Sequence, residues 1–126
     1  MPKFMLVFRG GAVVNQNLSV AERKAQVGKW TAWMDSLKSS GNFLPGGAPL
    51  RVEGLLVRST RRELAAGFPA DSELVTGTYF LDASSLTAAG ELAKGCPILD
   101  LDGSVEVRAV LERPQGGPHP ERQRDA

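Results

Sequence analysis

The first predicted strand constrains the fold most, because both of its faces are largely apolar. Residues 3–9 (KFMLVFR) alternate two sets of side chains, which are Phe4, Leu6 and Phe8 against Met5, Val7 and Arg9. Side chains with this period of two point to opposite faces of a β-strand. A sheet that contains this strand therefore needs apolar cover on both sides.

A long helix is predicted after the turn at Gly10 and Gly11. Ser19 and Glu22 have the spacing of a capping box, in which the cap and the first turn bond each other. Helical spacing then predicts a buried stripe made of Val20, Val27, Trp30, Met34 and Leu37, with Trp33 on its shoulder. Gly41 is expected to end the helix in a left-handed conformation.

The second half of the chain predicts two further strands and a second helix. Signals are mixed over residues 42–58, where a hairpin or meander is expected with short strands near 50–52 and 55–58. A central strand is predicted over 73–82. Ser84 or Ser85 should cap a helix that ends at Gly95 and Pro97. Its inward residues are predicted to be Leu86, Ala89, Ala93 and Cys96. A last strand is expected over 105–111.

This order of elements predicts an α+β domain over residues 1–112, with a ferredoxin-like βαββαβ antiparallel sheet and two helices on one face. The helices leave the other sheet face uncovered, although several strands carry apolar residues there. A second copy related by two-fold symmetry would cover it, which predicts a homodimer. Residues 113–126 have little to bury and are expected to form a disordered tail.

Composition argues against several classes of partner. The chain has 15 basic and 14 acidic residues and a formal net charge of +1. Without a longer basic run than two residues, nucleic-acid binding is not expected. No apolar stretch is long enough for a membrane span and no signal-peptide pattern begins the chain, so we expect a cytoplasmic protein.

The reactive residue types give little support for a metal or a nucleophilic site. The single His119 lies between prolines in the predicted tail, where nothing would orient it. The single Cys96 falls at the end of a helix and is interpreted as a buried small apolar residue rather than a nucleophile. The sequence therefore predicts neither a metal nor a cofactor.

The candidate ligand-binding residues are mostly polar groups near the predicted sheet. Glu106 and Arg108 share one face of the last strand, either as a charge pair within the sheet or as groups that face a cleft. An arginine there can hold a carboxylate by two hydrogen bonds, which suggests a small carboxylate ligand. The full candidate set is Arg9, Trp33, Asp71, Glu73, Tyr79, Glu106 and Arg108, with Thr76 beside it.

Two segments, GTYFLDASSLTAAGELAKGCP at 77–97 and GSVEVRAV at 103–110, together with the order of elements, resemble the YCII-related, DGPF-domain proteins of the dimeric α+β barrel superfamily. The resemblance covers residues 3–111. It implies a ferredoxin-like unit, sheets that pair in a dimer, and a cleft between sheet and helix in each protomer. Functions in this family are largely unassigned, although a few relatives are enzymes on small cyclic or chlorinated acids.

The family's Asp-Gly-Pro-Phe signature falls on AAGF at 65–68, so its aspartate and proline are absent here. Asp71 and Glu73 match the acidic residues that follow the signature. Because no histidine lies in the predicted domain, a His/Asp pair proposed in one branch of the family does not carry over. Three functions stay open: a small-molecule-binding homodimer without catalysis, an enzyme that uses Asp71 or Glu73 as general acid or base on a small acid, and a structural protein.

Overall fold

The computed structural model describes residues 1–57, 64–65 and 71–111. The chain order of its strands is β1 (Lys3–Arg9), β2 (Phe43–Pro49), β3 (Leu56–Val57), β4 (Leu64–Ala65), β5 (Val75–Asp82) and β6 (Ser104–Ala109). Its α-helices are α1 (Ala12–Gln16), α2 (Val20–Ser39) and α3 (Leu86–Ala93), and short 3-10 helices span Asp71–Glu73 and Pro97–Leu101. The predicted tail and most of the AAGF segment lie outside the described residues.

The main sheet has four antiparallel strands in the order β2-β5-β1-β6. Strand β1 is central because it pairs with β5 on one side and β6 on the other. Counted without the separate β3-β4 hairpin, this is the strand order of a ferredoxin-like βαββαβ unit. The predicted α+β fold is confirmed.

Both long helices pack on the same face of this sheet, the face that carries Phe4, Leu6 and Phe8. Helix α2 begins at the predicted capping box, in which the Ser19 hydroxyl accepts from the Glu22 amide and the Glu22 carboxylate accepts from the Ser19 amide. We call this side of the sheet the helix face and the other side the open face.

The buried stripe of α2 differs from the predicted one. Val20 and Val27 are 83% and 64% exposed, whereas Gln26 and Trp33 are buried. Both stripes have helical spacing and both contain Leu37, which is buried. Because the two stripes lie on adjacent columns of one helix, spacing alone could not choose between them.

The inward face of α3 is confirmed for Ala89, Ala93 and Cys96, but the prediction for Leu86 is wrong. Leu86 is the first residue of the helix and is 56% exposed. Ala83, outside the helix, instead packs beside Phe4 together with Ala89. Small residues therefore hold this end of α3 against the sheet.

The prediction of a strand near residues 50–52 is also wrong. The sheet strand in this part of the chain is β2, which ends at Pro49, and the next strand is the short β3. In β2, Pro45, Gly46 and Gly47 form a bulge, so that the register with β5 shifts between Leu44 and Ala48. Prolines and paired glycines weaken the strand signal of this segment, but a bulge at a sheet edge accommodates both residue types.

Candidate functional site

A cleft of about 370 Å³ lies between helix α2 and the edge of the sheet where β2 meets β5. Its walls are mainly apolar and aromatic, and we call it the aromatic cleft after the residues that define it, which are Phe8, Trp30, Met34, Phe43 and Tyr79. Concave, largely apolar sites of this kind and size are where proteins usually bind small molecules.

The bulge in β2 forms the outer wall of the aromatic cleft. Gly46 has φ +116°, a conformation that residues with side chains rarely adopt. A Cβ atom on Gly47 would collide with the carbonyl oxygen of Thr78, so the backbone of β2 approaches β5 closely here. The Gly-Gly pair therefore lets β2 bend along the cleft.

The inner wall is built around Tyr79, whose ring contacts other rings from both the helix and the sheet. It stacks on Trp33, with the ring centroids 5.5 Å apart and the planes at 13°. It meets the edge of Phe8 at 5.2 Å and of Phe43 at 5.5 Å between centroids. Trp30 meets Phe8 at 5.3 Å in the same edge-to-face way. Such aromatic packing fixes the shape of the wall.

The two tryptophans of α2 have exchanged their predicted positions, since Trp33 is the buried one and Trp30 lies beside the cleft. Trp33, expected on the shoulder of the stripe, is buried, and its indole N–H donates to the carbonyl of Leu92 at 3.2 Å. Trp30 is only partly buried and lines the cleft. Trp33 therefore supports the wall through Tyr79, while Trp30 is the indole that a ligand would meet.

The aromatic cleft continues into a second hollow of about 480 Å³, with which it shares Trp30, Pro49 and Thr76. We call this second hollow the mouth. Gln26 and Arg23 line it from helix α2. The Gln26 side-chain amide donates to the carbonyl oxygen of Pro97 at 2.8 Å. The Arg23 guanidinium donates to the carbonyls at the end of α1, at 3.3 Å and 2.8 Å.

The Cys96 thiol and the Tyr79 hydroxyl stay neutral near pH 7. Burial raises the pKa of the Cys96 thiol to about 12. Burial, and in second place the nearby Cys96, also raises the pKa of the Tyr79 hydroxyl. Among the described residues, neither the aromatic cleft nor the mouth contains a carboxylate or a histidine in its walls. These walls can bind and orient a molecule, but they hold no group suited to proton transfer at neutral pH.

Three of the predicted charged residues lie together, but on the open face, away from the cleft. Glu106 accepts from Arg9 at 3.1 Å and from Arg108 at 3.0 Å. The two hydrogen bonds, first that from Arg108 and then that from Arg9, lower the pKa of the Glu106 carboxyl. Of the two interpretations, the structure has Glu106 and Arg108 paired within the sheet.

The predicted carboxylates Asp71 and Glu73 lie at the end of β1 and outside the cleft. The Asp71 carboxylate accepts from the amide of Val13 at 3.2 Å and so holds α1 in place. Glu73 is exposed and its main-chain carbonyl accepts from Arg9 at 3.1 Å. Glu73, Arg9 and Arg51 line a separate hollow of about 470 Å³ beside residues 50–56.

Of the seven predicted site residues, Tyr79 lines the aromatic cleft and Trp33 supports it from behind. Sequence reasoning assigned Trp30 to the core and did not single out Gln26. The sequence does contain a signal for Gln26. This polar residue lies four positions before Trp30 and has helical spacing with Trp33 and Leu37.

No group of three or more metal-ligating side chains occurs in the part of the chain that the structure describes. Its helices, searched over the same residues, include none that is long and apolar enough to cross a membrane.

Comparison with known proteins identifies a protein family and a similar solved structure. The family model for the YCII-related domain matches residues 11–113. The solved structure of 5-chloro-2-hydroxyhydroquinone dehydrochlorinase (TftG) from Burkholderia phenoliruptrix AC1100, in complex with 2,5-dihydroxybenzoquinone, is similar with a TM-score of 0.50 and 15% identity over 91% of this chain and 95% of that chain. At this identity the similarity shows the fold alone. No curated protein sequence matches the chain.

Proposed function

This chain belongs to the YCII-related domain family, and we propose that it is a homodimer that binds a small planar molecule in the aromatic cleft. The observation that carries the proposal is the cleft itself, in which Trp30 and Tyr79 present aromatic surface beside the bulge of β2. The similar fold of TftG, whose structure contains a quinone ligand, agrees with a ring compound as the ligand. We also keep a cytoplasmic location as a prediction.

The first form of this proposal is binding without catalysis, because the described residues in the walls include no group whose pKa suits it to act as a general acid or base near pH 7. Aromatic surface and a few polar groups are sufficient for recognition of a ring.

The second candidate is an enzyme on a small acid, and the hollow lined by Arg9, Arg51 and Glu73 is the observation that favours it. The arginines would attract the anion and Glu73 would act as general acid or base, while Asp71 is already bonded to Val13. TftG, of the same fold, is a dehydrochlorinase. Arg9, however, already donates to Glu106 and to the Glu73 carbonyl, which leaves it few donors for a substrate.

Chemical-shift mapping by NMR with phenol and with benzoate separates the two candidates. We expect phenol to shift the Trp30 indole resonance and the amides of Gly77 and Tyr79. Shifts by benzoate at Arg9 and Val75, with none in the cleft, would instead favour the small-acid enzyme.

The variant Trp30→Ala tests the cleft directly. It removes an aromatic wall, so we expect the affinity for phenol to fall about tenfold, which corresponds to about 1.4 kcal/mol. Val20→Ala, at a position on the same helix that is 83% exposed, is the matched control and should leave the affinity unchanged. Equal affinities of Trp30→Ala and wild type would contradict binding in the aromatic cleft.

A further inference from the structure

We propose that Gln26 selects the ligand, by accepting in the mouth a hydrogen bond from a hydroxyl or N–H group of a ring compound bound in the adjoining aromatic cleft. This inference rests on the proposed function and names the class of ligand. In this role Gln26 distinguishes ligands that can donate a hydrogen bond from those that cannot, and it takes no part in a reaction.

The orientation of the Gln26 amide follows from its partner. A main-chain carbonyl oxygen can only accept, so the Gln26 group at 2.8 Å from the Pro97 oxygen must be the NH₂ group. The side-chain oxygen Oε1 is then held on the other side of the amide. The side chain has little freedom to turn away, because the residue is only 7% exposed.

The Oε1 atom has no hydrogen-bond donor among the described residues. In that part of the chain, no fully buried side-chain nitrogen or oxygen lacks a partner, so Oε1 must reach the accessible surface. The surface that Gln26 contributes to is the mouth, one helical turn from Trp30. An oriented acceptor in the mouth, next to the mainly apolar aromatic cleft, is a group that can fix a ligand's position.

The neighbouring polar groups favour a donor on the ligand as well. The Thr76 hydroxyl lies 3.4 Å from the carbonyl oxygens of both Phe8 and Gly10, and its proton is directed toward them. Arg23 also lines the mouth and keeps three N–H donors besides the two that bind the carbonyls of Asn15 and Gln16, so the preference for a donor on the ligand concerns the side of the mouth formed by Gln26 and Thr76. On that side a carboxylate would meet oxygen lone pairs, whereas a hydroxyl or N–H group would be paired there.

The test compares phenol with anisole, in which a methyl group replaces the donated proton, on wild type and on Gln26→Leu. We expect wild type to bind phenol more tightly, and Gln26→Leu to weaken phenol binding roughly three- to tenfold while anisole binding stays the same. A change in cavity shape would alter the affinity for both compounds, so the ratio of the two affinities isolates the hydrogen bond. Ligand-detected NMR titration measures both.

Gln26→Met is the second variant, since it keeps the length of the side chain in case Gln26→Leu does not fold. An unchanged phenol-to-anisole ratio in the folded variant would overturn the role of Gln26, while the proposed function would stand. Binding of neither compound to wild type would contradict the proposed function and this inference together. Loss of both ligands to the same extent would show that Gln26 only supports the cleft, which also overturns selection.

Discussion

On the open face, neighbouring arginines alter the ionisation of Glu106. Hydrogen bonds from Arg108 and Arg9 hold the pKa of its carboxyl below the ordinary value of 4.5. A carboxyl with a lowered pKa in the folded state stabilises the fold above its unfolded pKa, and this stabilisation is lost as the pH falls through the folded pKa. The stabilisation of the fold by ionised Glu106 should therefore be complete above about pH 4.5 and should decrease as the pH falls below that value.

Arg108→Ala should raise the pKa of Glu106 toward its ordinary value, since it removes the larger of the two causes. A carbon-detected NMR titration of the carboxyl measures this directly. Arg51→Ala is the matched control, because Arg51 pairs with Glu53 and should leave the pKa of Glu106 unchanged. If Arg108→Ala instead abolished phenol binding without moving this pKa, the residue would be a ligand contact rather than a partner of Glu106.

Helix α2 shows which features of an element its sequence can predict. The capping box needs only two residues three positions apart, so Ser19 and Glu22 predicted the start of the helix correctly. The buried face depends on what packs against the helix. Val27 looked more suitable for the core than Gln26, but the carbonyl of Pro97, at the start of a 3-10 helix, accepts a hydrogen bond from Gln26 and makes its burial possible. The burial of Gln26 beside the candidate site therefore depends on a contact with a residue far away in the sequence.

The capping box gives a prediction at this scale. Ser19→Ala removes the hydroxyl that accepts from the Glu22 amide and should lower the free energy of unfolding by about 1 kcal/mol. Ser36→Ala, at an exposed position inside the same helix, is the control and should be neutral or slightly stabilising. Urea denaturation measures both variants. Equal destabilisation by the two would show that capping contributes nothing.

At the scale of the whole molecule, the two apolar faces of β1 bear on assembly. The helices cover the face of Phe4, Leu6 and Phe8, and the register places Met5 and Val7 on the open face. Leu44 and Phe80 extend this apolar surface across the sheet. The sequence therefore predicted which surface stays uncovered in the protomer, because alternation along one strand suffices for that. The family resemblance implied a cleft between sheet and helix, but the sequence could not show how that cleft is lined, because its outer wall depends on the bulge that brings β2 beside α2.

We expect sedimentation velocity to show a dimer at micromolar concentration, because burial of the apolar part of the open face, around Met5, Leu44 and Phe80, is favourable by about 25 cal/mol for each Å². Val7→Lys places a charge beside Met5 on that face and should shift the protein to monomer while its circular dichroism stays the same. Val27→Lys, at a position on α2 that is 64% exposed, should remain dimeric. A monomeric wild type would contradict the dimer, and a dimeric Val7→Lys would place the interface on another surface. Since the aromatic cleft lies on the helix face, the monomeric variant should still bind phenol, which separates assembly from ligand binding.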